Sequence, residues 1–317
     1  MNNHDSIHIG ISSCLLGEPV RFDSGHKRDA WITATLGRYF EFRPFCPEVA
    51  IGLGIPRAPI RLVRIDGQLR VRGVRDPALD VTDRLADFAA RTLPGLADLS
   101  GYIFKSKSPS CGAFRVKVYA TSGHPDGSAE GAFAAAVKAA MPLLPVEEEG
   151  RLGDARLREN FITRIFVYHR WQQLRASGID AAGLVAFHSD HKYLLMAHNQ
   201  AAYRRLGKLV AEAGKGDIEA RADDYAAGFM AALARPAKAR GHCNVLSHLL
   251  GYLKRDLDAA DRAELVETIE AYRRGELPLI VPITLLNHHF RRHPKAYIER
   301  QVYLHPHPRE LALRNGI

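Results

Sequence analysis

The chain has 317 residues, of which 46% are hydrophobic and 25% charged, too long for one ordinary core and apolar enough to rule out wholesale disorder or low-complexity repeats. No apolar run approaches the roughly 20 residues of a membrane span, and the opening MNNHDSIHIG lacks the basic-then-apolar build of a signal peptide, so a cytoplasmic protein without a membrane partner is expected. The net charge of +9 is unevenly divided: residues 1–150 carry 18 Lys and Arg against 17 Asp and Glu, while residues 151–317 carry 26 against 18. A basic half beside a neutral one suggests a polyanion-binding module attached to a module with another task.

The first half alternates strand and helix signals. Ile7, Ile9 and Ile11 alternate with small or polar residues and run into SSCLLGEP, a strand followed by a loop. A short helix near Asp29 to Arg38 precedes the run Tyr39 to Phe45, which stops at Pro47. In RLVRIDGQLRVRG the Asp66-Gly67 pair supplies a hairpin turn between two alternating arms. A helix begun by Asp80-Val81-Thr82-Asp83 places Leu85, Phe88, Ala89 and Thr92 on one side, GYIFKS follows as a buried strand, and Ala-rich Ser128 to Met141 is a further helix before PLLPV. This predicts a Rossmann-like α/β domain with a mostly parallel sheet over residues 1–152.

Beyond it the period changes. Leu157, Phe161, Ile165, Tyr168, Trp171 and Leu174 are spaced by 4, 4, 3, 3 and 3, the stripe of an amphipathic helix, and similar patterns continue to DRAELVETIEAYRRG. Residues 153–317 therefore form an all-α domain, with the boundary in PVEEEGRLGD.

Cys14, Cys46 and Cys111 are far apart in sequence, yet each lies just past the end of a predicted strand, with Gly17, Pro47 or Gly112 beside it for a turn. In an open parallel sheet such loops converge on one crevice, so the three thiols are expected to meet and bind metal there. Either zinc or an iron-sulfur cluster fits three thiolates, and a 4Fe-4S cube held by three cysteines keeps one iron open to a soft ligand. Cys243 shares a helical stripe with Leu246, Leu250 and Leu253 and reads as core.

His26, Lys27, Arg28 and Asp29 read either as a phosphate contact or as a solvated helix start. Gly52-Leu53-Gly54 lacks the third glycine of a dinucleotide fingerprint, which excludes a nicotinamide site. In the helical half, basic residues are interleaved with rings around Arg170, Lys192, Arg204, Arg205, Arg291 and Arg292, a composition suited to RNA. His188, His191 and the late histidines form no zinc pattern and read as polar-face residues.

ISSCLLGEPVRFDSGHKRD, FRPFCPEVAIGLGIPR and FKSKSPSCG together resemble the three motifs of the TudS-like thiouracil desulfidase family over roughly the first 150 residues. HKYLLMAHN, GHCNVLSHLLGY and PLIVPITLLNHHFRRH resemble the uncharacterised domain fused to such enzymes in RudS-like tRNA 4-thiouridine desulfidases. The resemblance implies a 4Fe-4S cluster on Cys14, Cys46 and Cys111, a functional acid at Glu48 and a functional serine at Ser108 or Ser110. It also implies a non-redox reaction in which 4-thiouridine in tRNA becomes uridine and sulfide. Two rival readings stand beside it: the same chemistry on free thiouracil, thionucleosides or other small thiopyrimidines, and a non-catalytic, metal-stabilised RNA-binding protein.

Overall fold

The computed structural model describes residues 6–317, so the first five residues of the opening stretch read above lie outside the described residues. Among the described residues no helix is long and apolar enough to cross a membrane. The chain divides into two compact units, one ending at Gly153 and the other running from Asp154 to Ile317.

In the first unit, β1 (His8–Ser12) leads through α1 (Ala30–Ala34) to β2 (Glu41–Phe45) and α2 (Pro47–Ala50). Asp29 starts α1 by accepting a hydrogen bond from the Ile32 amide at 2.9 Å, which accounts for one residue of the His26–Asp29 group as a helix cap. The hairpin forms as expected from β3 (Ile60–Ile65) and β4 (Gln68–Gly73), with Asp66 and Gly67 at φ 49° and 77°. Next come α3 (Thr82–Thr92), β5 (Leu99–Phe104), β6 (Val116–Ala120), β7 (Pro125–Ala129), α4 (Ala132–Ala140) and β8 (Val146–Glu148). Helix α4 starts later than the alanine content suggests, because Ser128 and Ala129 pair with β6 as the end of a second hairpin.

The strands make two sheets. One is wholly parallel in the order β2-β1-β5-β8, and the other has the order β4-β3-β6-β7 with β3 and β6 parallel. Strand β5 is buried along its whole length and β1 nearly so, as strands covered on both faces require. Helix α3 covers the second sheet, packing Leu85 with Val81 against Leu62, Val71 and Val118. In the parallel sheet the strand order reverses at β1, whose neighbours β2 and β5 are reached in opposite directions. A crevice opens at the carboxyl ends of strands at such a switch point.

The second unit contains α5 (Ala155–Ala176), α6 (Ala181–His198), α7 (Gln200–Ala211), α8 (Ile218–Leu233), α9 (Ala239–Tyr252), α10 (Ala259–Arg274), α11 (Ile280–Arg292) and the short α12 (Ala296–Glu299). Asp154, Asp180, Asn199, Asp217 and Asp258 cap α5, α6, α7, α8 and α10 through their side-chain oxygens. Trp171, Phe187, Tyr225 and Phe229 form an aromatic centre with ring centroids such as Trp171–Phe187 at 5.2 Å and Tyr225–Phe229 at 5.5 Å. The C-terminal segment is tied to α5 by a buried ion pair from Arg314 to Glu159 at 3.1 Å, and Arg314 also donates to the Tyr303 carbonyl at 2.7 Å.

Several histidines sit wholly or partly inside this unit, His188, His191 and His242 among them. Burial pushes His191 and His242 down to about 3 and His188 down to about 4, from an ordinary 6.5. They are neutral in the folded chain but take up protons once unfolded, so stability is complete above pH 6.5 and is lost as pH falls toward the folded values. Each group contributes a loss of about 1.4 kcal/mol per pH unit within that window. Urea unfolding followed by circular dichroism is expected to show the helical unit losing several kcal/mol between about pH 6.5 and 4.5. A flat profile would mean that these rings accept protons in place.

Candidate active site

Each of the three strands that surround the switch point ends in a cysteine-bearing turn. After β1 the chain makes a single tight turn over Ser13–Leu15, and Gly17 at φ 101° reverses it, a conformation that a side chain rarely adopts. The loop that follows is pinned back by the Lys27 amide on the Cys14 carbonyl at 2.8 Å and the Asp29 amide on the Leu15 carbonyl at 3.0 Å. Cys46 follows directly on β2 and precedes Pro47, the first residue of α2, where a missing amide hydrogen costs nothing. Cys111 follows β5 in a turn closed by the Gly112 amide on the Ser108 carbonyl at 2.8 Å. A Cβ on Gly112 would stand 2.3 Å from Val116 Cγ2, so this turn admits no side chain there.

The three thiols line one cavity of about 390 Å³, together with Glu48, Arg57, Ser108 and Ser110. None is in a disulfide. Burial pushes Cys111 up to about 12, helped by the nearby Glu48, and Cys14 up to about 11; Cys46 is raised by the same cause. Among the described residues no three His, Cys, Asp or Glu side chains are gathered as they would be round a single metal ion. The arrangement is instead three separate thiols disposed about a cavity that also holds Arg21 and Lys105, cations that favour the thiolate form of Cys14 against the cost of its burial. This donor set fits a polynuclear iron-sulfur group, in which separate irons would each take one of the three thiolates.

Glu48 stands in the first turn of α2, the position of a helix-start carboxylate, yet its oxygens turn to the cavity. Oε2 accepts from Arg57 Nε and faces Arg57 Nη2, each at 2.9 Å, and Oε1 accepts from Ser110 Oγ at 2.7 Å and Ser108 Oγ at 3.3 Å. Both charged side chains are shielded, with 6% of Arg57 and 13% of Glu48 exposed, so removing either partner would strand a charge at a cost of about 3–5 kcal/mol. The serines differ. Ser110 is fully buried, whereas Ser108 is half-buried and accepts from the Cys111 amide at 3.1 Å. Arg57 escaped the sequence reading; it sits in the same motif as Cys46, but neither period nor charge singles it out. Its Nη1 also donates to the Val20 and Gly54 carbonyls, at 2.9 and 3.0 Å, so one guanidinium fixes Glu48 and the loop after Cys14 together.

The other candidates separate. Cys243 is buried with its sulfur 3.9 Å from the Ile269 carbonyl, a core residue as expected. His191 is not on a polar face: it is buried, stacks on Phe187 and bonds the Phe187 carbonyl at 2.7 Å. His188 also turns inward, with Nδ1 3.1 Å from the Tyr225 hydroxyl. Arg170 is a correction too, since it spends its guanidinium on the Pro306 carbonyl at 3.2 Å rather than on solvent. Trp171, Tyr193 and Phe290, rings that lie among these basic residues, are packed inside because their helix positions face the core. Lys192 lies over the Tyr193 and Tyr297 rings, and the Arg205 guanidinium rests against Gly228. Arg204, Arg291 and Arg292 are exposed.

Comparison with known proteins adds four findings. Residues 9–149 match the family model of 2-thiouracil desulfurase, and residues 192–308 match that of a protein of unknown function, DUF1722. Uncharacterized protein YbgA of Escherichia coli K12 is 33% identical over 162 residues, which is 51% of this chain and 96% of YbgA. The solved [4Fe-4S]-dependent thiouracil desulfidase TudS is 32% identical, with 47% of this chain and 94% of that one covered at a TM-score of 0.37.

Proposed function

We propose, for a chain that belongs to the 2-thiouracil desulfurase family and continues into a DUF1722 region, that it replaces the sulfur of 4-thiouridine in tRNA by oxygen from water. Carbon 4 loses its bond to sulfur and gains one to oxygen, water supplies that oxygen and two protons, and sulfide leaves with no change of oxidation state. The observation that carries this reading is the meeting of Cys14, Cys46 and Cys111 with Glu48, Ser108 and Ser110 around one cavity of about 390 Å³. The three cysteines would hold a 4Fe-4S cluster. When bound, it supplies a Lewis-acidic iron without a protein ligand, suited to a soft sulfur atom.

The remaining work falls to the protein's own groups. Glu48 Oε1 is the acceptor for the proton of the attacking water, and Arg57 holds the carboxylate so that this oxygen stays turned to the serines. Ser110, without solvent exposure, positions Glu48; Ser108, half-exposed, orients the pyrimidine ring. Lys27 and Lys107 are exposed among the lining residues and suit a substrate that carries phosphate.

Anaerobically reconstituted protein incubated with thiolated tRNA is expected to abolish the thiocarbonyl absorbance while releasing one sulfide per site. Free 4-thiouracil should turn over with a kcat/KM lower by at least about tenfold, because phosphate binding positions the longer substrate. Equal efficiency on both would favour the small-molecule rival, and no desulfuration of either would leave the metal-stabilised binding protein.

A further inference from the structure

The second unit contains a cavity of about 820 Å³ between the corner where α6 passes into α7 and the corner where α8 passes into α9. Its walls carry Arg204, Arg235, Lys238 and Arg240 and no acidic residue. All four are exposed, and among the described residues none has a carboxylate partner. Other cations of the unit do have carboxylate partners, among them Arg175 with Glu219, Arg274 with Glu267 and Glu276, Lys295 with Asp256 and Arg300 with Asp190. Four cations without a carboxylate partner are therefore gathered round one depression.

The cleft is a built feature. Its two corners are clasped by His198 Nδ1 donating to the Arg235 carbonyl at 2.9 Å. Below them α9 lies directly on α6, for a Cβ on Gly241 would stand 2.0 Å from the Ala197 carbonyl. Four cations held round one depression repel each other until an anion enters, and one bearing several phosphates relieves all of them at once. The lining also presents Asn199, Gln200 and Asn244 as neutral hydrogen-bonding groups, suited to sugar hydroxyls, and no exposed ring for a free base.

We propose that this cleft binds the sugar-phosphate backbone of RNA. The choice of RNA over another polyphosphate rests on the desulfidase reading above; the cleft's anion binding does not. The test uses an unmodified tRNA transcript, which carries no sulfur, so it reports on the cleft whether or not the chain desulfurates anything. Removal of two cations in Arg204→Gln/Arg240→Gln is expected to weaken tRNA binding about tenfold at moderate salt. The plot of log affinity against log salt should become shallower by about 1.5, since each lost phosphate contact removes about 0.7 to 0.9 of slope. Lys215→Gln/Arg255→Gln, the same charge change at exposed positions outside the cleft, should alter both by far less, with thermal unfolding confirming that both variants are folded. Equal losses in the two double variants, or no loss in the first, would overturn the site. Displacement of the tRNA by inorganic polyphosphate, charge for charge, would overturn RNA as its ligand.

Discussion

Replacing Cys14, Cys46 or Cys111 by Ala is expected to leave the anaerobically loaded protein without iron and without desulfurating activity, while Cys243→Ala keeps both. The contrast follows from placement. The first three thiols lie in the turns that follow three neighbouring strands and line one cavity, whereas Cys243 is enclosed by α9 and the Ile269 carbonyl of α10. Burial keeps the three site thiols protonated well above neutral pH in the empty protein, so loading must release protons and should become tighter as pH rises. Iron content, the visible absorbance of the cluster and sulfide release are the readouts. Close to four irons per chain in the parent and none in the three site variants is the expected pattern. A stoichiometric zinc ion with no iron, after strictly anaerobic preparation, would defeat the assignment.

How much of this was legible beforehand follows from how local each signal is. The convergence of the cysteines could be read because it needs only strand ends and the rule that parallel strands open on one side. The turn at Asp66-Gly67 and the helix start at Asp29 are likewise local chemistry. The hairpin of β6 and β7 was hidden, because HPDG reads as loop and the alanines after it extend a helical pattern into what is a strand end. In the helical unit, composition was misleading about individual residues. A segment such as Tyr168-His169-Arg170-Trp171 looks like an RNA-facing surface, but its rotation on α5 sends Trp171 inward and turns Arg170 to a backbone carbonyl. The charge excess was real at the level of the unit, and the gathering of Arg204, Arg235, Lys238 and Arg240 round one cleft depends on two corners between helices that no linear pattern marks.

Glu48→Gln should retain the cluster absorbance and iron content yet lose turnover by about 100-fold or more, because the amide keeps the shape of the carboxylate but cannot take up a proton. The loss should fall on kcat, with KM for small thiopyrimidines little changed, since substrate binding does not depend on that proton. Arg57→Lys separates positioning from chemistry. Lysine preserves the charge but offers a single ammonium in place of the fork that reaches Glu48 and the carbonyls of Val20 and Gly54. Turnover should therefore fall less than in Glu48→Gln, with iron retained. Arg57→Met, which leaves the shielded carboxylate unpaired, should also destabilise the α/β unit by about 3–5 kcal/mol. Were Glu48→Gln to turn over normally, the carboxylate would be a structural partner of Arg57 and Ser110, and proton transfer would have to come from another group lining the cavity.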